Sequence, residues 1–96
     1  MAVKILIKRH VPKDDIAKLT DLLKRLRSFT LSQPGYVYGE TLSRLDDPDE
    51  YLVISTWRSA EDWNNWMKNP QRIAVQEEID LLLGEQTEYS MYTHVT

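Results

Sequence analysis

A chain of 96 residues with 42% hydrophobic side chains suits one domain, residues 1–96, and hides only about two-thirds of its unfolded surface, so a partner subunit would add useful burial. Its formal net charge of −3 provides no broad basic face for neutralising phosphates, which argues against nucleic acid as a partner. It has no cysteine, which excludes disulfides, thiolate metal sites and thiol nucleophiles, and fits a reducing cytoplasm.

Residues 2–11 alternate, with Val3, Ile5 and Ile7 on one face and Lys4, Leu6, Lys8 and His10 on the other, the pattern of a strand. The opening MAVKILIKRH has no signal-peptide cleavage pattern, and no apolar run approaches the roughly 20 residues of a membrane span. A cytoplasmic protein without membrane contact is therefore expected. Pro12 ends the strand, and Asp14 or Asp15 is placed to cap a helix. Ile16, Leu19, Leu22, Leu23, Leu26 and Phe29 then recur at helical spacing. The basic cluster Lys24, Arg25 and Arg27 falls where it would meet the negative end of that helix dipole.

After the turn Ser32-Gln33-Pro34-Gly35, Tyr36 to Leu45 reads as a second strand. The acidic turn Asp46-Asp47-Pro48-Asp49 joins it as a hairpin to a third, Tyr51 to Arg58. Ser59 starts a short helix, with Asp62 in a weaker form of the capping box, and Trp63, Trp66 and Met67 form its apolar stripe. Asn69-Pro70 restarts the chain as an N-cap followed by proline at the first helical position. Ile73, Val75, Ile79, Leu82 and Leu83 mark the next helix, which Gly84 is placed to stop. Thr87 to Val95 alternates as a last strand.

The order β-α-β-β-α-β, with its second helical layer broken at Asn69-Pro70, predicts an α+β fold of the ferredoxin-like split βαβ type. The third strand is apolar on both faces, with Tyr51, Val53 and Trp57 on one and Leu52 and Ile54 on the other. Helices cover only one face of such a sheet. The other needs a second cover, and a symmetric homodimer, sheet against sheet, supplies it.

Four ordered stretches, PGY and GETL in the second strand, EYLVISTWRS in the third and W-x-x-W-M-x-N-P-x-R in the helical layer, together resemble the antibiotic biosynthesis monooxygenase family. The resemblance covers essentially the whole chain. It implies a dimeric α+β barrel whose protomers each keep a pocket between sheet and helices. It also implies oxidation of an aromatic phenol or quinol by dioxygen without a bound metal or flavin, so no cofactor is expected. On that reading Trp66 lines the pocket, Gln76 orients the ligand, and Lys8 or His10 favours its anion. Tyr38 or Tyr92 would be available to hydrogen-bond a phenol.

The haem-degrading branch of the family uses an asparagine on the first strand, a tryptophan in the second helical layer and a histidine ten residues later. Here those positions are at or near Lys8, Trp66 and Gln76. An amide is a weak iron ligand beside imidazole, so haem degradation is not expected. The two histidines, His10 and His94, lack carboxylates at metal-binding spacing, so no metal site is expected either. The alternative to catalysis is a small-ligand-binding or structural dimer of the same fold. A concave volume beside Trp66 separates the two classes.

Overall fold

The computed structural model describes all 96 residues. β1 (Val3–His10) leads through a 3-10 turn (Lys13–Asp15) into α1 (Ile16–Thr30). The hairpin β2 (Tyr36–Ser43) and β3 (Glu50–Trp57) follows, then α2 (Ala60–Met67), α3 (Pro70–Leu83) and β4 (Glu88–Thr93). The strands form one antiparallel sheet in the order β2-β3-β1-β4. This is the ferredoxin-like arrangement, with β1 and β3 at the centre.

The sheet register decides which residues meet the helices. Val3, Ile5, Ile7 and Arg9 lie opposite Trp57, Ser55, Val53 and Tyr51, and strand side chains alternate between faces. That face carries the main core, in which Val3, Ile5, Ile7 and Trp57 are buried with Trp63 and Trp66 of α2. Trp57 is fully buried at its centre. Its ring centroid lies 5.4 Å from that of Tyr36, 5.6 Å from Trp63 and 6.3 Å from Trp66. Such pairs each contribute about 0.5–1.5 kcal/mol beyond area burial. Its indole N–H donates to Ser55 Oγ at 2.7 Å, so the burial leaves no polar atom unmatched. A second core of Val11, Leu19, Val75 and Ile79 lies where α1 meets α3.

The start of α1 differs from the sequence expectation. Asp15 occupies the N-cap position but makes no side-chain capping bond. Its φ of −98° and ψ of −4° are helix-like rather than the extended geometry that aims a cap side chain back at the first turn. The Pro12 carbonyl instead accepts from the Asp15 N–H at 2.9 Å, closing the 3-10 turn. The strands are also shorter than the alternation suggests: β2 ends at Ser43 and β4 at Thr93, leaving Leu45 and Val95 almost wholly exposed.

The break between α2 and α3 follows the expected chemistry and adds to it. Ser59 Oγ accepts from the Asp62 N–H at 3.1 Å at the start of α2. Asn69 Oδ1 accepts from the N–H groups of Gln71 and Arg72 at 2.9 and 3.2 Å at the start of α3, with Pro70 at the first helical position. The ending helix leaves carbonyls without intrahelical donors. Buried Arg72 reaches back to one of them, donating from Nε and Nη2 to the Met67 carbonyl at 3.2 and 3.0 Å and from Nη1 to the Tyr89 hydroxyl at 3.3 Å. One guanidinium thus ties α2, α3 and β4 together. Gly84 closes α3 at a φ of +69°, a left-handed conformation that favours glycine.

Candidate active site

Between the inner sheet face and the helices lies a cavity of about 350 Å³, large enough for a small aromatic molecule. Ile7 and Arg9 of β1, Tyr51, Val53 and Ser55 of β3, and Tyr36 and Gly39 of β2 line its sheet side. Leu23 and Leu26 of α1 and Trp63 and Trp66 of α2 line its helical side. The exposed residues Thr20, Lys24 and Arg27 of α1, with Glu40 and Thr41 of β2, mark its rim. Gly39 leaves room here: a Cβ would stand 2.7 Å from the Tyr36 hydroxyl, so the Tyr36 ring would have to shift to admit one. The missing side chain lets Tyr36 fold in along the wall, edge-on to Trp57.

Trp66 is buried, and its ring stacks on Trp57 with an interplanar angle of 25°. It therefore serves core and cavity together. The wall is largely apolar and aromatic, which favours a flat, hydrophobic ligand.

Arg9 is the exception on that wall. It is only 4% exposed. Its Nη2 donates to Gln76 Oε1 at 3.1 Å, while its Nε–H has no partner. No carboxylate forms an ion pair with it. Desolvation draws its pKa below the ordinary guanidinium value; Tyr89 and Asp80 act in the opposite sense, and Arg72 adds to the lowering. The nearest link to a negative charge runs through an amide. Gln76 Nε2 donates to Asp80 Oδ1 at 2.9 Å and to Thr87 Oγ1 at 2.8 Å. The Thr87 hydroxyl in turn donates to Asp80 Oδ1 at 3.2 Å.

The family model for antibiotic biosynthesis monooxygenases matches residues 2–78. The chain belongs to the antibiotic biosynthesis monooxygenase family. No curated protein sequence matches it. Among solved structures, a conserved protein from Methanosarcina mazei Go1 superposes with a TM-score of 0.90 at 17% identity, covering 99% of this chain and 94% of that one. A point variant of SnoaB, a cofactor-independent oxygenase from Streptomyces nogalater, gives 0.86 at 19% identity over 99% of this chain and 94% of that one. Rv0793 from Mycobacterium tuberculosis gives 0.86 at 14% identity over 100% and 97%. At these identities the structural likeness is one of fold.

The structure separates the site residues that the family resemblance suggested. Trp66 lines the cavity. Gln76 is buried beside it but does not reach the space, since both ends of its amide are occupied by Arg9, Asp80 and Thr87. It orients Arg9 rather than a ligand. Lys8 and His10 are exposed and alternate with Ile7 and Arg9, so they stand on the far face of the sheet and cannot act on anything in the cavity. Tyr38 and Tyr92 share that far face by their register with Thr56 and Lys4. His10 instead approaches Glu50 at 3.5 Å and Glu85 at 3.6 Å; exposed itself, it forms a cluster with half-buried Asp47 and Glu50. The donor set does not fit haem: Gln76 has no free ligand atom, and Lys8 points away.

Arg9 was the residue missed. Its signal was present, because it continues the parity of Val3, Ile5 and Ile7. A charged residue on the apolar side of a strand is rarely buried without a partner or a purpose. The basic cluster on α1 also divides. Arg25 pairs with Glu78 on α3 at 2.8 Å, while Lys24 and Arg27 turn to the cavity rim.

Proposed function

We propose that the chain is a cofactor-independent monooxygenase acting on an aromatic phenol or quinol held in the cavity beside Trp66. The observation that carries this reading is the concave, aromatic-lined volume between sheet and helices, where a structural dimer of the same fold would have a filled core. Family membership supports the reaction type.

The chemistry needs little from the protein beyond placement and desolvation. A phenolate transfers one electron to dioxygen, giving an aryloxyl radical and superoxide. The two combine as a ring peroxide, which takes up one proton at the distal oxygen. A base removes the proton from the same ring carbon as the O–O bond breaks. One oxygen atom remains on the ring as a quinone carbonyl, and the other leaves as hydroxide, which is protonated to water. All four electrons come from the substrate. Trp66, Trp63 and Tyr36 would hold the ring, and the apolar wall would keep bulk water from the peroxide.

Oxygen uptake with a panel of benzo- and naphthohydroquinones tests the proposal. Uptake above the buffer rate is expected for at least one bicyclic member, with a fall of roughly tenfold or more for Trp66→Phe, in line with the sensitivity of oriented reactions to small misplacements. Ligand binding without oxygen uptake would favour the binding-protein alternative.

The same reading takes the protein as a homodimer paired through the outer sheet face. Half-buried Leu6, Leu52 and Ile54 lie there with exposed Tyr38, Leu42 and Tyr92. Together they form an apolar surface without cover in the single chain.

A further inference from the structure

We propose that Arg9 is the anchor for an anionic oxygen, so that the cavity takes aromatic acids, either carboxylates or phenols acidic enough to be ionised at neutral pH, in preference to neutral phenols. This deepens the cavity reading above and rests on it. Three observations carry the step.

The first is the unmatched donor. Arg9 is buried in the cavity wall, and its Nε–H is the buried side-chain polar atom without a hydrogen-bond partner. Buried donors are almost always matched, and an unmatched one on a side chain that lines a cavity points to a ligand that completes the guanidinium. The second is charge. Asp80 reaches Arg9 only through the neutral Gln76 amide, so one side of the guanidinium is held while its Nε–H stays free. An anion brought from the cavity would supply the compensation that buried charges require.

The third is the rim. The charged residues lining the cavity are three cations, Arg9, Lys24 and Arg27, against one carboxylate, Glu40. Glu40 pairs with Ile54 in the sheet and so shares the outer face. The chain as a whole carries a net charge of −3, which makes this local positive balance the reverse of the average. It would draw an anion inward along α1 and hold it at Arg9. The other charged or titratable groups near Arg9 are Tyr51, its cross-strand partner on the cavity wall, Arg72 and Tyr89, engaged with each other at 3.3 Å, and Asp80.

Binding is read by calorimetry with three probes: 2-naphthoate, 2,4-dinitro-1-naphthol as its phenolate, and neutral 2-naphthol. The carboxylate and phenolate arms distinguish the two sources of the anionic oxygen. At least one anion is expected to bind roughly tenfold or more tightly than 2-naphthol, and Arg9→Met is expected to remove that preference while leaving 2-naphthol unchanged. Nitrogen-15 NMR of the wild-type protein gives a readout independent of how the variant folds. The Arg9 Nε–H resonance is expected to shift on adding the anion and to stay in place with 2-naphthol. Equal binding of all three probes, or an anion preference that survives Arg9→Met, would overturn the assignment while leaving the cavity reading intact. Failure of all three to bind would overturn both.

Discussion

At the residue scale, Arg9 and Gln76 carry the sharpest expectations. A buried guanidinium without an ion pair is held against its desolvation cost, and that cost outweighs the one hydrogen bond to Gln76 Oε1, so replacing it with an apolar side chain of similar length should leave stability unchanged or raised. Urea denaturation of Arg9→Met should give a midpoint no lower than wild type. A fall of several kcal/mol would mean that the guanidinium contributes stability through contacts that the unmatched Nε–H does not suggest. Gln76→Glu would place a carboxyl oxygen on Arg9 and turn the bond to Asp80 into a carboxyl pair sharing one proton, which brings its negative charge into direct contact with the guanidinium. Binding of 2-naphthoate should then weaken while 2-naphthol binds as before, again measured by calorimetry. These residues also show where reading the sequence stopped short. The parity of β1 was legible, and it settles on its own that Lys8 and His10 share one face and Arg9 the other. Which face meets the helices is fixed by Val3, Ile5 and Ile7. Gln76 stood at a meaningful position, but its partners come from β1, from its own helix and from the approach to β4, three places that no local spacing connects.

At the scale of elements, the α2–α3 break was read from local chemistry because its signals are local. Ser59, Asn69 and Pro70 act on backbone groups within three residues of themselves. Asn69→Ala should cost about 1 kcal/mol, the usual loss for a capping side chain, measured as a shift in urea midpoint at unchanged slope. Arg72→Met removes the donor to the Met67 carbonyl and the tie to Tyr89, and should cost about 1–3 kcal/mol. The two losses are expected to be non-additive, because both side chains act on the same α2–α3 junction, three residues apart. The start of α1 was misread for a related reason. An Asp before an apolar helix signals a cap only when its backbone is extended, and after Pro12 the chain turns through a 3-10 segment instead.

At the scale of the molecule, the sheet order and the covered face follow from the order of elements, while the cavity does not. The aromatic residues that look like a filled core in the sequence do form one around Trp57, yet a space remains beside Trp66, bounded on the sheet by Tyr36, Gly39 and Ser55. Volume left over after packing is a property of the assembled sheet and helices. The same scale governs assembly. With Leu6, Leu52 and Ile54 on the outer face, sedimentation should give a dimer at micromolar concentration. Leu52→Glu should shift it to monomer by burying an unpaired carboxylate at the proposed interface. A monomeric wild type would remove the reason for that face being apolar.

The proposed reaction is oxidation of an aromatic substrate by dioxygen in the cavity beside Trp66. The most direct measurement is turnover of a naphthohydroquinone under isotopically labelled dioxygen, followed by mass spectrometry of the product. One labelled oxygen atom is expected in the quinone product, with the second recovered in water and the rate reduced by Trp66→Phe. Oxidation that yields hydrogen peroxide and an unlabelled quinone, or no oxidation above the buffer rate, would contradict it.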